Sequence, residues 1–388
     1  MLIVRAPTRI SLAGGGTDLE AYYAVRGGLV ISAAINRYCY VVVQQDDIDR
    51  IDIVASNYHN VALEPSVNSL PWNGGYALPR AAVRHFRLRR GLRIAFGSEV
   101  PPGTGLGSSS SLAVALVQAL TTVVGEPLSR GAVAEIASEI EINRLGMPIG
   151  RQDQYAAAYG GLNAMTFADS GVTVEPIDVS PENRCRLERN LMLFFTGTSR
   201  HSSDILRRQQ RRTAHAVPNV IESLDRIKAL AIATRDALEA GRVDDVGELL
   251  DLGWQQKRTL APSITNAFID ECYALARARG ALGGKITGAG GGGFLLFYCP
   301  RRAQAAVRSA LTARGLTPME FRFDDAGVHP LLHALKLDAA ELRSAPHDLS
   351  RALPNLLTFD PTRHADGKVV TLEPAAQTAR PERRRLRV

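Results

Sequence analysis

Pro101-Pro102-Gly103-Thr104-Gly105-Leu106-Gly107-Ser108-Ser109-Ser110-Ser111 follows an extended stretch, Leu92-Arg93-Ile94-Ala95-Phe96, and runs into an apolar segment of helical length, Leu112 to Val124. Its three closely spaced glycines leave backbone N–H groups uncovered, and the helix start adds the positive end of its dipole. Four serines then bring hydroxyls to the same point. The stretch reads as a socket for a polyphosphate, yet it lacks the lysine of the GxxxxGK[ST] loop. A nucleotide is therefore expected on a loop of another kind.

Two more glycine-rich segments flank it in the chain, Gly14-Gly15-Gly16-Thr17-Asp18 and Lys285-Ile286-Thr287-Gly288-Ala289-Gly290-Gly291-Gly292-Gly293. The latter contains a formal GxGxxG at Gly288, Gly290 and Gly293. A dinucleotide fingerprint must open a helix, whereas this one feeds the strand-like Phe294-Leu295-Leu296-Phe297-Tyr298. A Rossmann oxidoreductase is disfavoured on that ground. One glycine cluster is commonly a turn or a bulge; three in one chain weaken that reading.

The 388 residues are long enough for two domains, with 45% hydrophobic and 22% charged residues, as in ordinary soluble proteins. The net charge is +7, but +4 of it sits in Arg380–Val388, which has five Arg and one Glu. The remainder is too small to favour nucleic acid. No apolar run is long enough to span a bilayer. The opening MLIVRAPTRI is broken by Arg5, Pro7 and Arg9, unlike a secretory leader. Cys39, Cys185, Cys272 and Cys299 show no CxxC spacing and read as reduced thiols, not metal ligands. A cytoplasmic protein is expected, monomer or homodimer, with no nucleic-acid or membrane partner.

Strand-like runs (Leu29–Ala34, Tyr38–Val43, Leu191–Phe195, Phe294–Cys299, Glu320–Phe323) mix with helical ones without regular βαβ repeats, which predicts an α+β class. Helices are expected over Gly131–Leu145 with Ser129 as N-cap, over Asp153–Tyr159, and near Ser202–Thr213, Asn219–Ala240, Val243–Leu260, Asn266–Arg279 and Ala303–Arg314. The loop-rich Ser180-Pro181-Glu182-Asn183 suggests a boundary, giving units 1–180 and 186–330. Residues 331–388 read as an appendage, its basic tail partly disordered.

The order Arg5-Ala6-Pro7-Thr8-Arg9-Ile10 with Gly14–Asp18, then Pro101–Ser111, then Lys285–Gly293 resembles the three motifs of GHMP kinases, over about residues 1–325. That resemblance implies a two-domain α+β fold with ATP and acceptor in the interdomain cleft. It also implies transfer of the γ-phosphoryl group to a small metabolite. Pro101, Gly103, Thr104, Gly105, Leu106, Gly107, Ser108, Ser109 and Ser110 would then hold ATP, and Ser109 and Glu141 a Mg2+ ion. Asp153 would orient and deprotonate the attacking hydroxyl, and Arg9 would offset developing charge. Asp153 also suits a helix cap, and Glu141 a solvated helix face such as Glu135 and Glu139 occupy.

Asp18 resembles the carboxylate that galactokinase-type members aim at sugar hydroxyls, with Gly15, Gly16, Thr17, Gln154, Thr287, Gly288 and Gly290 expected around the acceptor. Gly15-Gly16 replaces the Glu-His of many members. This form, with Gly150-Arg151-Gln152-Asp153-Gln154-Tyr155 and Phe195-Thr196-Gly197-Thr198-Ser199-Arg200, is similar to the branch that phosphorylates heptose 7-phosphates at the anomeric hydroxyl. A phosphorylated acceptor needs a second anion site, for which Arg200 and Lys257 are candidates. Trp254, at helical spacing from Val246 and Leu250, reads as core. Fucose- or galactose-type kinases stay open, as does a silent sugar sensor, although a sensor need not keep Ser109, Glu141, Arg9 and Asp153.

Overall fold

A single long strand organises the first half of the molecule. Gly28–Asp46 (β2) carries the β-branched and aromatic residues expected of two separate strands and runs through both. Along one edge it pairs antiparallel with Leu2–Ala13 (β1). Along the other, its first part pairs with Leu162–Ala168 and its second with Gly91–Ser98. The computed structural model describes residues 1–46, 51–55, 60–64, 76–88, 91–198, 203–261 and 263–333.

The order along the chain is β1, Glu20–Arg26 (α1), β2, Ile51–Ala55 (β3), Asn60–Glu64 (β4), Ala77–His85 (α2), Gly91–Ser98 (β5), Ser108–Val124 (α3) and Arg130–Ser138 (α4). A π-helical turn over Glu139–Arg144 follows, then Gln152–Tyr159 (α5), Leu162–Ala168 (β6), Gly171–Pro176 (β7) and Pro181–Asn190 (α6). Leu191–Phe195 (β8), Ser203–Ala214 (α7), Pro218–Glu239 (α8), Asp245–Leu260 (α9), Ala267–Ala278 (α10), Gly283–Ile286 (β9) and Phe294–Tyr298 (β10) come next. Arg301–Ala313 (α11), Thr317–Met319 (β11) and His329–His333 (β12) complete it. The eight-stranded sheet runs β12-β1-β2-β5-β3-β4, with β6 and β7 on the side of β2; the four-stranded sheet runs β11-β8-β10-β9. The class is α+β, as the strand and helix pattern implies.

Three apolar layers result. One face of the large sheet packs on α2 to α5 through residues such as Val41, Ile94, Val114 and Ala157. Ile10, Leu12, Ile31 and Ile35 pack against Leu193, Leu296, Ala231 and Leu250, so the two sheets share a core. The far side of the small sheet buries Phe194 and Phe297 under Trp254, Tyr273 and Val307. Trp254 is fully buried, consistent with its helical spacing from Val246 and Leu250.

Several expectations need correction. Ser180-Pro181-Glu182-Asn183 starts α6, because Ser180 accepts the Asn183 N–H as N-cap and Pro181 fits the first turn; the suggested boundary between 180 and 186 falls in that helix. Phe323 makes only an isolated bridge to Ile35, and the strand before it is Thr317–Met319. Residues 331–333 are not an appendage but part of β12, which pairs with Leu2–Arg5. The basic tail lies outside the described residues.

Replacing Trp254 by Ala should lower the unfolding free energy by about 3–5 kcal/mol, the range for removing a large buried aromatic. Denaturant titration would measure it; a loss below about 1 kcal/mol would mean that the layer under α9 repacks freely.

Candidate active site

Between the two sheets lies a cleft of about 370 Å³, lined by all three glycine segments. Its apolar end is formed by Cys39, Ala55, Phe96, Leu112 and Met147, and its polar end by Arg9, Asp18, Asp153, Gln209, Lys257 and Lys285. The N-terminus of α3 opens onto the middle. Gly107 caps that helix in the left-handed region (φ 77°), and a Cβ there would sit 3.1 Å from Asp153 Oδ2. The backbone amides ahead of Ser111 N–H, which bonds to Gly107 C=O, have no acceptor within the helix.

Not every residue of the first loop faces this space. Gly103, Gly105, Gly107, Ser108, Ser109 and Ser110 line it; Pro101, Thr104 and Leu106 do not. Thr104 is buried, its hydroxyl on Pro101 C=O at 2.8 Å, and Leu106 belongs to the shared core. Ser111 also turns inward, donating to Pro7 C=O at 2.8 Å, so the four serine hydroxyls do not converge. These residues hold the loop's shape.

Arg9 and Asp153 meet across the cleft floor. Arg9 donates from Nε to Oδ1 (2.8 Å) and from Nη2 to both carboxylate oxygens (2.6 Å each), while Nη1 donates to Gly105 C=O at 2.6 Å. β1 supplies the arginine by alternation: Arg9 and Ser11 line the cleft while Ile10 and Leu12 enter the core. Asp153 stands in the first turn of α5 but is not its N-cap, which is Arg151. Its side chain is 20% exposed, against 5% for Arg9, leaving one side of the carboxylate toward the cleft.

Asp18 is buried close by, accepting the Gly16 N–H at 2.9 Å and the Gln152 N–H at 3.3 Å. Burial raises its pKa, and the Asp153 charge adds to the effect, against the lowering by those hydrogen bonds. Gly150 makes room for it, since a Cβ there would lie 1.9 Å from Asp18 Oδ2. Gly15 and Gly16 line the cleft, but Thr17 does not: its buried hydroxyl ties Gly14 C=O (2.8 Å) and Leu29 C=O (3.0 Å) together.

Glu141 lies in the π-helical turn, which replaces the end of the regular helix expected to reach Leu145. Its fully buried carboxylate accepts from Ser109 Oγ (2.8 Å) and Gln154 Nε2 (2.6 Å). Gln154 is thereby a partner of Glu141 and does not line the cleft, contrary to its expected place at the acceptor. Burial first, and then the Asp153 charge, push the Glu141 pKa up to about 7 against the lowering by hydrogen bonds from Ser109, Ser110 and Gln154. Among the described residues only neutral donors bond to it, so this set fits a divalent cation on the Ser109 side.

Thr287, Gly288 and Gly290 line the cleft beside the first loop; Thr287 Oγ1 donates to Thr104 C=O at 3.2 Å. Lys257, from α9, donates to Ile286 C=O (3.2 Å) and to Gly288 C=O. Burial, then the Arg9 charge, lower the Lys257 pKa to about 7, with Asp18 opposing. Arg200 lies outside the described residues. Lys285, Gln152 and Gln209 also line the cleft and were not anticipated. Lys285 carried a readable signal: a lone cation in a short strand whose next residue, Ile286, is core.

The segment 77–161 matches the model of the GHMP kinases N terminal domain, and 234–316 that of GHMP kinases C terminal. A D-glycero-alpha-D-manno-heptose 7-phosphate kinase of Campylobacter jejuni is 29% identical over 331 residues, 84% of this chain and 97% of that protein. The bifunctional fucokinase/GDP-fucose pyrophosphorylase of Arabidopsis thaliana is 28% identical over 76% of this chain, but only 29% of that longer protein is covered. A crystal structure of a D-glycero-D-manno-heptose 1-phosphate kinase from Bacteroides thetaiotaomicron superposes with a TM-score of 0.72 at 30% identity, covering 86% of this chain and all of the other.

A carboxylate whose folded pKa is raised loses stabilisation as pH climbs. Between pH 4.5 and about 7, Glu141 keeps its proton when folded and releases it when unfolded. The metal-free protein should therefore lose stability over that window, by roughly 3 kcal/mol from this group. In Glu141→Gln the loss should vanish, making the variant the more stable above pH 7 in chelator. Thermal melts across pH would test it; parallel curves for the two proteins would contradict it.

Proposed function

Since the chain belongs to the GHMP kinase family and is a sugar kinase, we propose that it phosphorylates D-glycero-D-manno-heptose 7-phosphate on its anomeric hydroxyl, with ATP as donor, giving the 1,7-bisphosphate. The observation that carries this reading is the Arg9–Asp153 pair facing the α3 N-terminus across a cleft that also holds Asp18.

Transfer of a phosphoryl group passes through a loose transition state, so alignment and charge neutralisation matter more than covalent help. The free amides at the start of α3, with Ser108 and Ser110, bind the donor phosphates, and the apolar end around Phe96 and Met147 takes the base. Ser109 and Glu141 would hold magnesium, which when bound supplies positive charge beside the phosphates. Asp153, fixed by the arginine fork, orients the acceptor hydroxyl and receives its proton. Arg9, joined also to Gly105 C=O, sets positive charge between that hydroxyl and the phosphate loop. Asp18 accepts hydrogen bonds from sugar hydroxyls, and its acceptor-only oxygens favour a polyol.

The heptose phosphate is supported by two relatives whose names differ in the position of the phosphate, C7 in one and C1 in the other. A 1-phosphate has no free anomeric hydroxyl, so the two acceptors are chemically exclusive. The Gly14–Asp18 form and the Gly150–Tyr155 segment favour the 7-phosphate. Four free cysteines, of which Cys39, Cys272 and Cys299 are buried, suit a cytoplasmic setting.

Asp153→Asn should reduce kcat by about 10²–10⁴-fold while the Kd for ATP stays within a few-fold. Undiminished turnover would remove Asp153 from the proton transfer. An ADP-release screen over hexoses, heptoses and their phosphates should show highest kcat/KM for heptose 7-phosphate. A strong preference for fucose, galactose or another unphosphorylated sugar would overturn the proposed acceptor, and preference for a 1-phosphate would overturn the proposed position.

A further inference from the structure

Among the described residues, the cleft is lined by three cationic side chains, Arg9, Lys257 and Lys285, and by two acidic ones, Asp18 and Asp153. Their hydrogen-bonding capacities differ. Every nitrogen of the Arg9 guanidinium already bonds to Asp153 or Gly105. Lys257 uses two of its three N–H groups on Ile286 and Gly288 carbonyls, leaving one. Lys285 is 7% exposed and lines the cleft, and among the described residues no hydrogen bond or ion pair ends on its ammonium.

An ammonium carried by a side chain only 7% exposed, with three unused donors at the cleft, gains from a partner there. Its position narrows what that partner is. Lys285 stands on β9, whose neighbour Gly283 packs so closely on α9 that a Cβ there would lie 1.9 Å from Gly247 C=O. This close packing brings Lys285 and Lys257 together beside Leu12–Gly15, on the side of the cleft where Asp18 lies. The glycines there keep the space open: a Cβ on Gly15 would meet nothing nearer than Ser11 Oγ at 3.5 Å, and one on Gly16 would strike Gln209 Nε2 at 2.7 Å.

We propose that Lys285, with the remaining N–H of Lys257, binds the phosphate that the acceptor already carries and so selects a phosphorylated sugar over the free one. This rests on the acceptor proposed above and assigns its specificity to two residues. Asp18 interacts electrostatically with this pair and with Asp153, so a sugar held by Asp18 would present its reactive hydroxyl to Asp153 and its ester phosphate to Lys285. Burial, then the Lys257 and Arg9 charges, lower the proton affinity of Lys285, with Asp18 opposing. A phosphate dianion beside it would oppose that lowering.

The test compares heptose 7-phosphate with the unphosphorylated heptose at saturating ATP. In Lys285→Met the ratio of their kcat/KM values should fall by roughly 10²-fold or more, mainly through KM for the phosphate ester. Lys285→Arg, which keeps the charge, should recover part of it. A preserved ratio in Lys285→Met would overturn the assignment, as would a rise confined to KM for ATP, which would give the lysine to the nucleotide. Wild-type preference for the unphosphorylated heptose would instead bring down the acceptor reading itself.

Discussion

The fork between Arg9 and Asp153 is the contact on which the site depends. It joins the first strand of the large sheet to a helix 144 residues further on, and through Gly105 C=O it also reaches the phosphate loop. A guanidinium has a rigid planar donor set, so one side chain fixes the direction of a carboxylate and the height of a loop together. Lysine in its place would supply charge without that geometry. The surrounding close contacts, Gly107 against Asp153 and Gly150 against Asp18, follow from bringing carboxylates this near to backbone.

Around this fork the charges are graded in how well they are compensated. Asp153 is matched fully. Asp18 has backbone amides but, among the described residues, no cation within ion-pair distance, and burial raises its pKa. Among the described residues, Glu141 has only neutral donors and the Lys285 ammonium has no acceptor. Folding alone gains little by burying such groups. Their incomplete pairing is what a site for charged ligands requires, since the missing partner is the ligand.

The three glycine segments and the α+β class could be read directly, because motif spacing and the strand after Gly293 are local facts. Arg9, Asp18 and Asp153 could be named only through the family's motifs, and the structure brings them within one cleft. What escaped was set by tertiary packing. Gln154 has the same local sequence context as a ligand-facing residue, yet the α5 surface turns it to Glu141. Thr17 and Thr104 sit inside the motifs but act on the backbone. The π-helical turn at Glu139–Arg144 has no clear sequence mark, and strand β12 is added to β1 from more than 300 residues away. Lys285 was visible as an odd residue, but only the proximity of Lys257 gives it meaning.

The apolar layer common to both sheets has a mechanical consequence. Ile10, Leu12, Ile31 and Ile35 interlock with Leu193, Leu250 and Leu296 directly behind the crevice. Swinging one half away from the other would expose that layer to water, at a penalty that grows with each side chain uncovered. The jaws of the crevice are thus fixed at their root.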